Sequence, residues 1–107
     1  MKLPKSIISA SAVAIFLSLT VSAPVQADGA KLYATKTCFG CHGKDAKTPL
    51  LPIYPKLAGQ SADYAYNQMQ DIKSGARSNG NTAAMKGIMG LVNDAEMREI
   101  ANWLATQ

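Results

Sequence analysis

At 107 residues the chain has room for one domain, and a hydrophobic fraction of 48% is enough to give that domain a core. Eleven Lys and Arg stand against seven Asp and Glu, and nine against seven, a net +2, once Lys2 and Lys5 are set aside with the leader described next. That is too little positive charge to give nucleic-acid binding an electrostatic footing.

The first 27 residues read as a secretory signal peptide and not as part of the fold. Lys2 and Lys5 make a short basic start, Ile7 to Val21 is an apolar run, and Val25-Gln26-Ala27 puts small side chains at the cleavage positions. The apolar run is shorter than the roughly 20 residues that span a bilayer, so cleavage after Ala27 and no lasting membrane insertion are expected. Residues 28–107 then form the one mature domain. At 80 residues a single core is marginal and commonly needs a staple.

The first helix is expected from Asp28 to Lys36. Asp28 lies at its positive end, and Gly29, Leu32 and Tyr33 recur at offsets of three and four residues. A helical Gly29 is unfavourable unless another backbone comes close, which predicts a crossing helix.

Cys38-Phe39-Gly40-Cys41-His42 follows at once. Cys-x-x-Cys-His is the attachment run for haem c: both thiols add across porphyrin vinyl groups, and the adjacent imidazole ligates the iron. One helical turn presents both sulfurs to one edge of the ring, and the next side chain points at the metal from the same face. A bare Cys-x-x-Cys also occurs as a redox dithiol, a disulfide or half of a zinc site. Structural zinc needs about four Cys or His ligands, and the chain has two Cys and one His. A thioredoxin-like dithiol would sit beside a βαβ pattern, and no alternating β-branched pattern follows the leader.

From Gly43 to Gln60, Pro49, Pro52 and Pro55 exclude helix and predict an extended loop on the proximal side of the haem. Ser61 reads as the N-cap of a helix with Ala65, Gln68, Met69 and Ile72 on one face and Gly75 as its stop. Ser78-Asn79-Gly80-Asn81 is a turn, and Met85 to Val92 is a weakly patterned apolar stretch within the loop region that follows. Asn93-Asp94-Ala95-Glu96 has the form of a capping box and opens a last helix with Met97, Ile100, Ala101 and Leu104 as its apolar stripe, widened by Trp103.

In this order, the haem motif, Pro55-Lys56-Leu57-Ala58-Gly59-Gln60 and the capped last helix resemble the small class I cytochromes c of bacteria over essentially the whole of residues 29–107. The resemblance implies an all-α class I cytochrome c fold, with short helices wrapped around one covalently bound haem c. Cys38 and Cys41 match the thioether positions and His42 the proximal iron ligand. Pro52 matches the proline whose carbonyl accepts the His42 Nδ1 hydrogen bond, with Pro49 and Pro55 as alternatives because loop length varies in the family. Gly29 and Tyr33 match the contact positions of the first helix, Ile100 and Trp103 those of the last. His42 is the only histidine, which leaves a thioether as the distal ligand common in this family. Met85, nine residues before Asp94, stands at the family spacing, and Met89 is the alternative. Met69 and Met97 lie on apolar helix faces, where Met is usually filler.

Two protein ligands on the iron leave no site for substrate, so the expected function is a soluble periplasmic one-electron carrier and not an enzyme. Its partners would be redox proteins, a reductase and a terminal acceptor, and the carrier itself a monomer. Lys36, Lys44, Lys47 and Lys86 would form a positive rim around the haem edge for an acidic partner. Two other readings share the haem: a cytochrome subunit of a periplasmic oxidoreductase, and a sensor or peroxidase-like protein whose distal ligand leaves.

Overall fold

The computed structural model describes residues 28–107 together with Lys2, Leu3 and Ile15; the rest of the leader expected at 1–27, with its cleavage positions, lies outside the described residues. Five helices follow in order: α1 (Gly29–Thr35), α2 (Phe39–His42), α3 (Ala62–Ser74), α4 (Thr82–Met89) and α5 (Asp94–Ala105). No strand occurs among the described residues, and no helix there is long and apolar enough to cross a membrane.

Ser61 and Asn93 cap the helices where the sequence places them, and Asp28, expected as the first residue of its helix, stands one position before α1 as its cap. Asp28 Oδ1 accepts from the Ala30 amide at 3.0 Å, and Ser61 Oγ from the Tyr64 amide at 3.2 Å. At α5 the box closes in both directions, Glu96 N to Asn93 Oδ1 at 2.8 Å and Asn93 N to Glu96 Oε1 at 3.0 Å. Each such cap satisfies amides that a helix start leaves without partners, worth about 0.5–2 kcal/mol. Gly75, in the left-handed conformation at φ 89°, ends α3.

α5 is the element on which the others pack. Its stripe of Met97, Ile100, Ala101 and Leu104 is buried, and α1 and α3 both pack against it. The crossing with α1 is close because Gly29 has no side chain: a Cβ there would run into the Glu99 carbonyl and the Trp103 Cβ. One turn further on, the Tyr33 ring meets that of Trp103 with centroids 4.9 Å apart. Tyr33, Ala46, Ala65, Met69, Ile72, Met89 and Val92 complete the core.

The stretch expected to be loop around Met85 and Met89 is instead helix α4. Ala83, Ala84, Met85 and Lys86 are strong helix formers, and Gly87 and Gly90 interrupt the apolar period that would have revealed them. Thr82 starts the helix by bonding its hydroxyl to the Asn79 carbonyl. α4 packs on α3 and buries Met89.

Residues 43–60 form a strap free of helix, as the prolines require. It is fastened at several points: Leu50 N to the Cys41 carbonyl at 3.0 Å, Leu57 N and Ala58 N to the Ala46 carbonyl at 3.0 and 3.1 Å, and Gly59 N to the Leu104 carbonyl at 3.0 Å. Ala46 is fully buried at φ 59°, the turn that makes its carbonyl available to both amides.

Candidate haem site

Between α1 and α2 the chain turns on Thr37, whose φ of 66° is unusual for a β-branched residue. The turn lets α2 begin at once, with the His42 amide bonded to the Cys38 carbonyl at 3.0 Å and Gly43 N to the Phe39 carbonyl at 3.1 Å. Positions 38, 41 and 42 are thereby spaced three and four residues along one helical turn and share a face. All three line a cleft of about 260 Å³ with Thr37, Gly40, Met85 and Ile88.

The imidazole is held by one edge and unpartnered at the other. His42 Nδ1 lies 2.8 Å from the Pro55 carbonyl, and because a carbonyl only accepts, Nδ1 carries the proton. Nε2 is then the lone-pair nitrogen. It is buried without a hydrogen-bond partner, in a residue only 3% exposed. Burial also lowers the His42 pKa, partly offset by the Pro55 bond, so the ring stays neutral. A buried, neutral, orphaned nitrogen is costly unless something coordinates it, which is the condition a metal ligand meets.

The sulfurs fit a covalent role better than a reactive one. Burial pushes the Cys38 thiol up to about 11; its own backbone amide lowers it and the neighbouring Cys41 raises it further. Redox dithiols work with depressed thiol pKa values, so this environment disfavours that reading. Both cysteines are free and half-buried in the cleft wall. An apolar group linked through both sulfurs, with a metal at Nε2, fits these residues.

Met85 faces the same cleft as His42, whereas Met89 is 1% exposed and packed into the core. The expectation for Pro52 is corrected. Pro52 is exposed in a turn closed by Tyr54 N on the Leu51 carbonyl at 3.1 Å, while the anchorage of Leu57 and Ala58 on Ala46 brings Pro55 over the imidazole. The Lys36 expectation is corrected too. Its Nζ bonds the Leu91 carbonyl at 2.9 Å and pairs with Glu96 at 3.3 Å, so it is not free for a docking rim; Lys44, Lys47 and Lys86 are exposed. Sequence reasoning missed Thr37 and Ile88 in the wall, and Tyr54, whose ring lies 6.5 Å from that of His42. An aromatic residue just before the strap proline was the one available signal.

The family model described as Cytochrome c matches residues 26–107. The chain belongs to the cytochrome c family. This cytochrome is of class I, all-helical, and its cofactor is a covalently attached haem c, with Cys38, Cys41 and His42 fitting the attachment motif. It is similar to cytochrome c-554(548) of Halomonas halodenitrificans, 38% identical over 66% of this chain and 84% of that one. It is 30% identical to cytochrome c-553 of Nitratidesulfovibrio vulgaris over 94% of this chain and 97% of the relative. A protein named thiosulfate dehydrogenase electron acceptor, from Stutzerimonas stutzeri, is 37% identical over 86% of this chain, which spans 43% of that longer protein. The cytochrome serves electron transport with redox-partner proteins.

Proposed function

We propose that this cytochrome is an exported one-electron carrier of the periplasm, monomeric and not itself an enzyme, in which His42 Nε2 and the Met85 thioether would hold the haem iron. The observation that carries this reading is the meeting, in one cleft, of an unpartnered imidazole nitrogen and a methionine side chain. When bound, haem supplies the redox step, iron holding or releasing one electron. The chain's own residues do the rest. Cys38 and Cys41 fasten the macrocycle, and the Pro55 carbonyl fixes the His42 tautomer and raises its basicity. With both His42 and Met85 holding it, the iron would be closed to substrate, which favours electron transfer over substrate chemistry. The leader pattern at 1–27 supports export.

Absorption spectra and potentiometry of the holoprotein test the ligand set. Met85→Ala should abolish the weak far-red ferric band of the iron to sulfur bond and lower the reduction potential. Met89→Ala should keep both while losing about 2–5 kcal/mol of stability, as expected for an emptied core site. The reverse pattern would move the ligand to Met89.

One relative is named as an electron acceptor of a dehydrogenase, which supports a second reading in which the cytochrome takes electrons from an oxidoreductase and, on this reading, stays bound to it as a subunit. Gel filtration of the native protein separates the two. A lone 80-residue holoprotein supports the free carrier, and a stoichiometric partner supports the subunit.

A further inference from the structure

Two lysines from different helices converge on the turn that follows α4. Lys36 ends α1, two residues before Cys38, and donates its Nζ to the Leu91 carbonyl at 2.9 Å. Lys73, in the last turn of α3, donates to the Val92 carbonyl at 2.5 Å. Consecutive carbonyls of one short turn are thus each taken by an ammonium. Glu96 braces the first of these from behind: one carboxylate oxygen pairs with Lys36 at 3.3 Å, and the other closes the α5 capping box.

The placement of this grip matters for the haem site. Among the described residues, Lys36 to Leu91 is the one hydrogen bond running directly from segment 36–42, which holds the thiols and His42, to segment 82–92, which holds Met85. α4 packs on α3, and its C-cap Gly90 keeps helical backbone, so the turn at 91–92 continues directly from the helix. We propose that Lys36 and Lys73 are positioning residues for the distal side of the haem: by holding Leu91 and Val92 they keep α4, and with it Met85, facing His42. The proposal rests on the reading of Met85 as distal ligand.

The physical consequence is measurable with an outside ligand. Imidazole reaches ferric iron only when the methionine has left, so its apparent affinity is the intrinsic one scaled by the fraction of open protein. A hydrogen bond to a charged donor shifts such an equilibrium by roughly tenfold.

The experiment titrates ferric holoprotein with imidazole and follows the loss of the far-red sulfur band. Lys36→Met and Lys73→Met keep the apolar stem and remove the ammonium. Each should bind imidazole roughly tenfold more tightly than wild type, and Lys36→Arg and Lys73→Arg should stay within about threefold of it. Arg98→Met serves as the control, because it breaks the Arg98 to Asp63 pair and the contact with the Tyr66 ring without touching α4. It should lower thermal stability and leave imidazole binding unchanged. Lysine variants that shift imidazole binding no further than Arg98→Met does would reduce both lysines to ordinary structural bonds and overturn the proposal. A sulfur band that survives Met85→Ala would overturn only the ligand assignment. The imidazole series would still judge the lysines, since Met89 rides on the same helix.

Discussion

Tyr33 joins the core to the haem site through a single side chain. Its ring packs on Trp103, and its hydroxyl donates to the Gly43 carbonyl at 2.5 Å, just past His42. Burial first, and then Cys38 and Asp45, raise its phenol pKa well above the ordinary value, so it stays a donor throughout the neutral range. Gly43 itself is confined: at φ 85° a Cβ there would meet the Thr48 carbonyl. Tyr33→Phe keeps the ring and leaves that carbonyl without its partner. It should cost about 1–3 kcal/mol, read as a lower denaturant midpoint at unchanged m-value. At this scale the proximal chemistry was legible because Cys38, Cys41 and His42 are neighbours in the chain, and covalent adjacency sets their geometry. Pro55 was not, since three prolines offer chemically equal carbonyls and only the amides bonded to Ala46 decide which one reaches His42.

At the scale of elements, the crossing of α1 and α5 organises the fold. Gly29 permits it, and Gly29→Ala places a methyl group against the Glu99 backbone, where no side chain can swing away. The expected loss is at least about 1–3 kcal/mol, the usual range for overpacking, and the measurement is the thermal midpoint of the holoprotein. Ala30→Gly beside it should cost only about 1 kcal/mol through helix propensity, which separates the clash from a general loss of helix. Helices α1, α3 and α5 were readable because each carries its own cap and a periodic apolar face. α4 was not: Gly87 within it and Gly90 at its end broke the period, and its burial comes from α3. Met85 and Met89 are four residues apart on α4, yet one meets the cleft and the other the core. Only the packing of α4 on α3 separates them, and no local pattern encodes that.

At the scale of the whole molecule, the 80 residues from 28 to 107 are few enough to depend on a cofactor. Among the described residues the most fully buried large side chains are Tyr33, Met89, Met97, Ile100 and Val92, and Cys38, Met85 and Ile88 of the cleft wall pack against the core they belong to. The periplasmic fraction should yield a holoprotein with the mass of residues 28–107 plus one haem. In a Cys38→Ala, Cys41→Ala double variant, acidified organic solvent should extract the haem, and the remaining chain should lose its cooperative unfolding transition. Haem retained through that extraction would refute thioether attachment at these two positions. A final consequence concerns the strap. Its exposed tip, residues 51–53, lies between the fastening of Leu50 on Cys41 and Tyr54, whose ring stands beside that of His42. A loop that doubles in length adds only about 0.6 kcal/mol of closure entropy, so insertions and deletions within the tip are nearly neutral. From Pro55 to Ala58 there is no such freedom, because one residue more or fewer would carry the carbonyl past the imidazole. Changes in chain length should therefore be tolerated in the tip alone, with the register of the histidine's partner insulated from them.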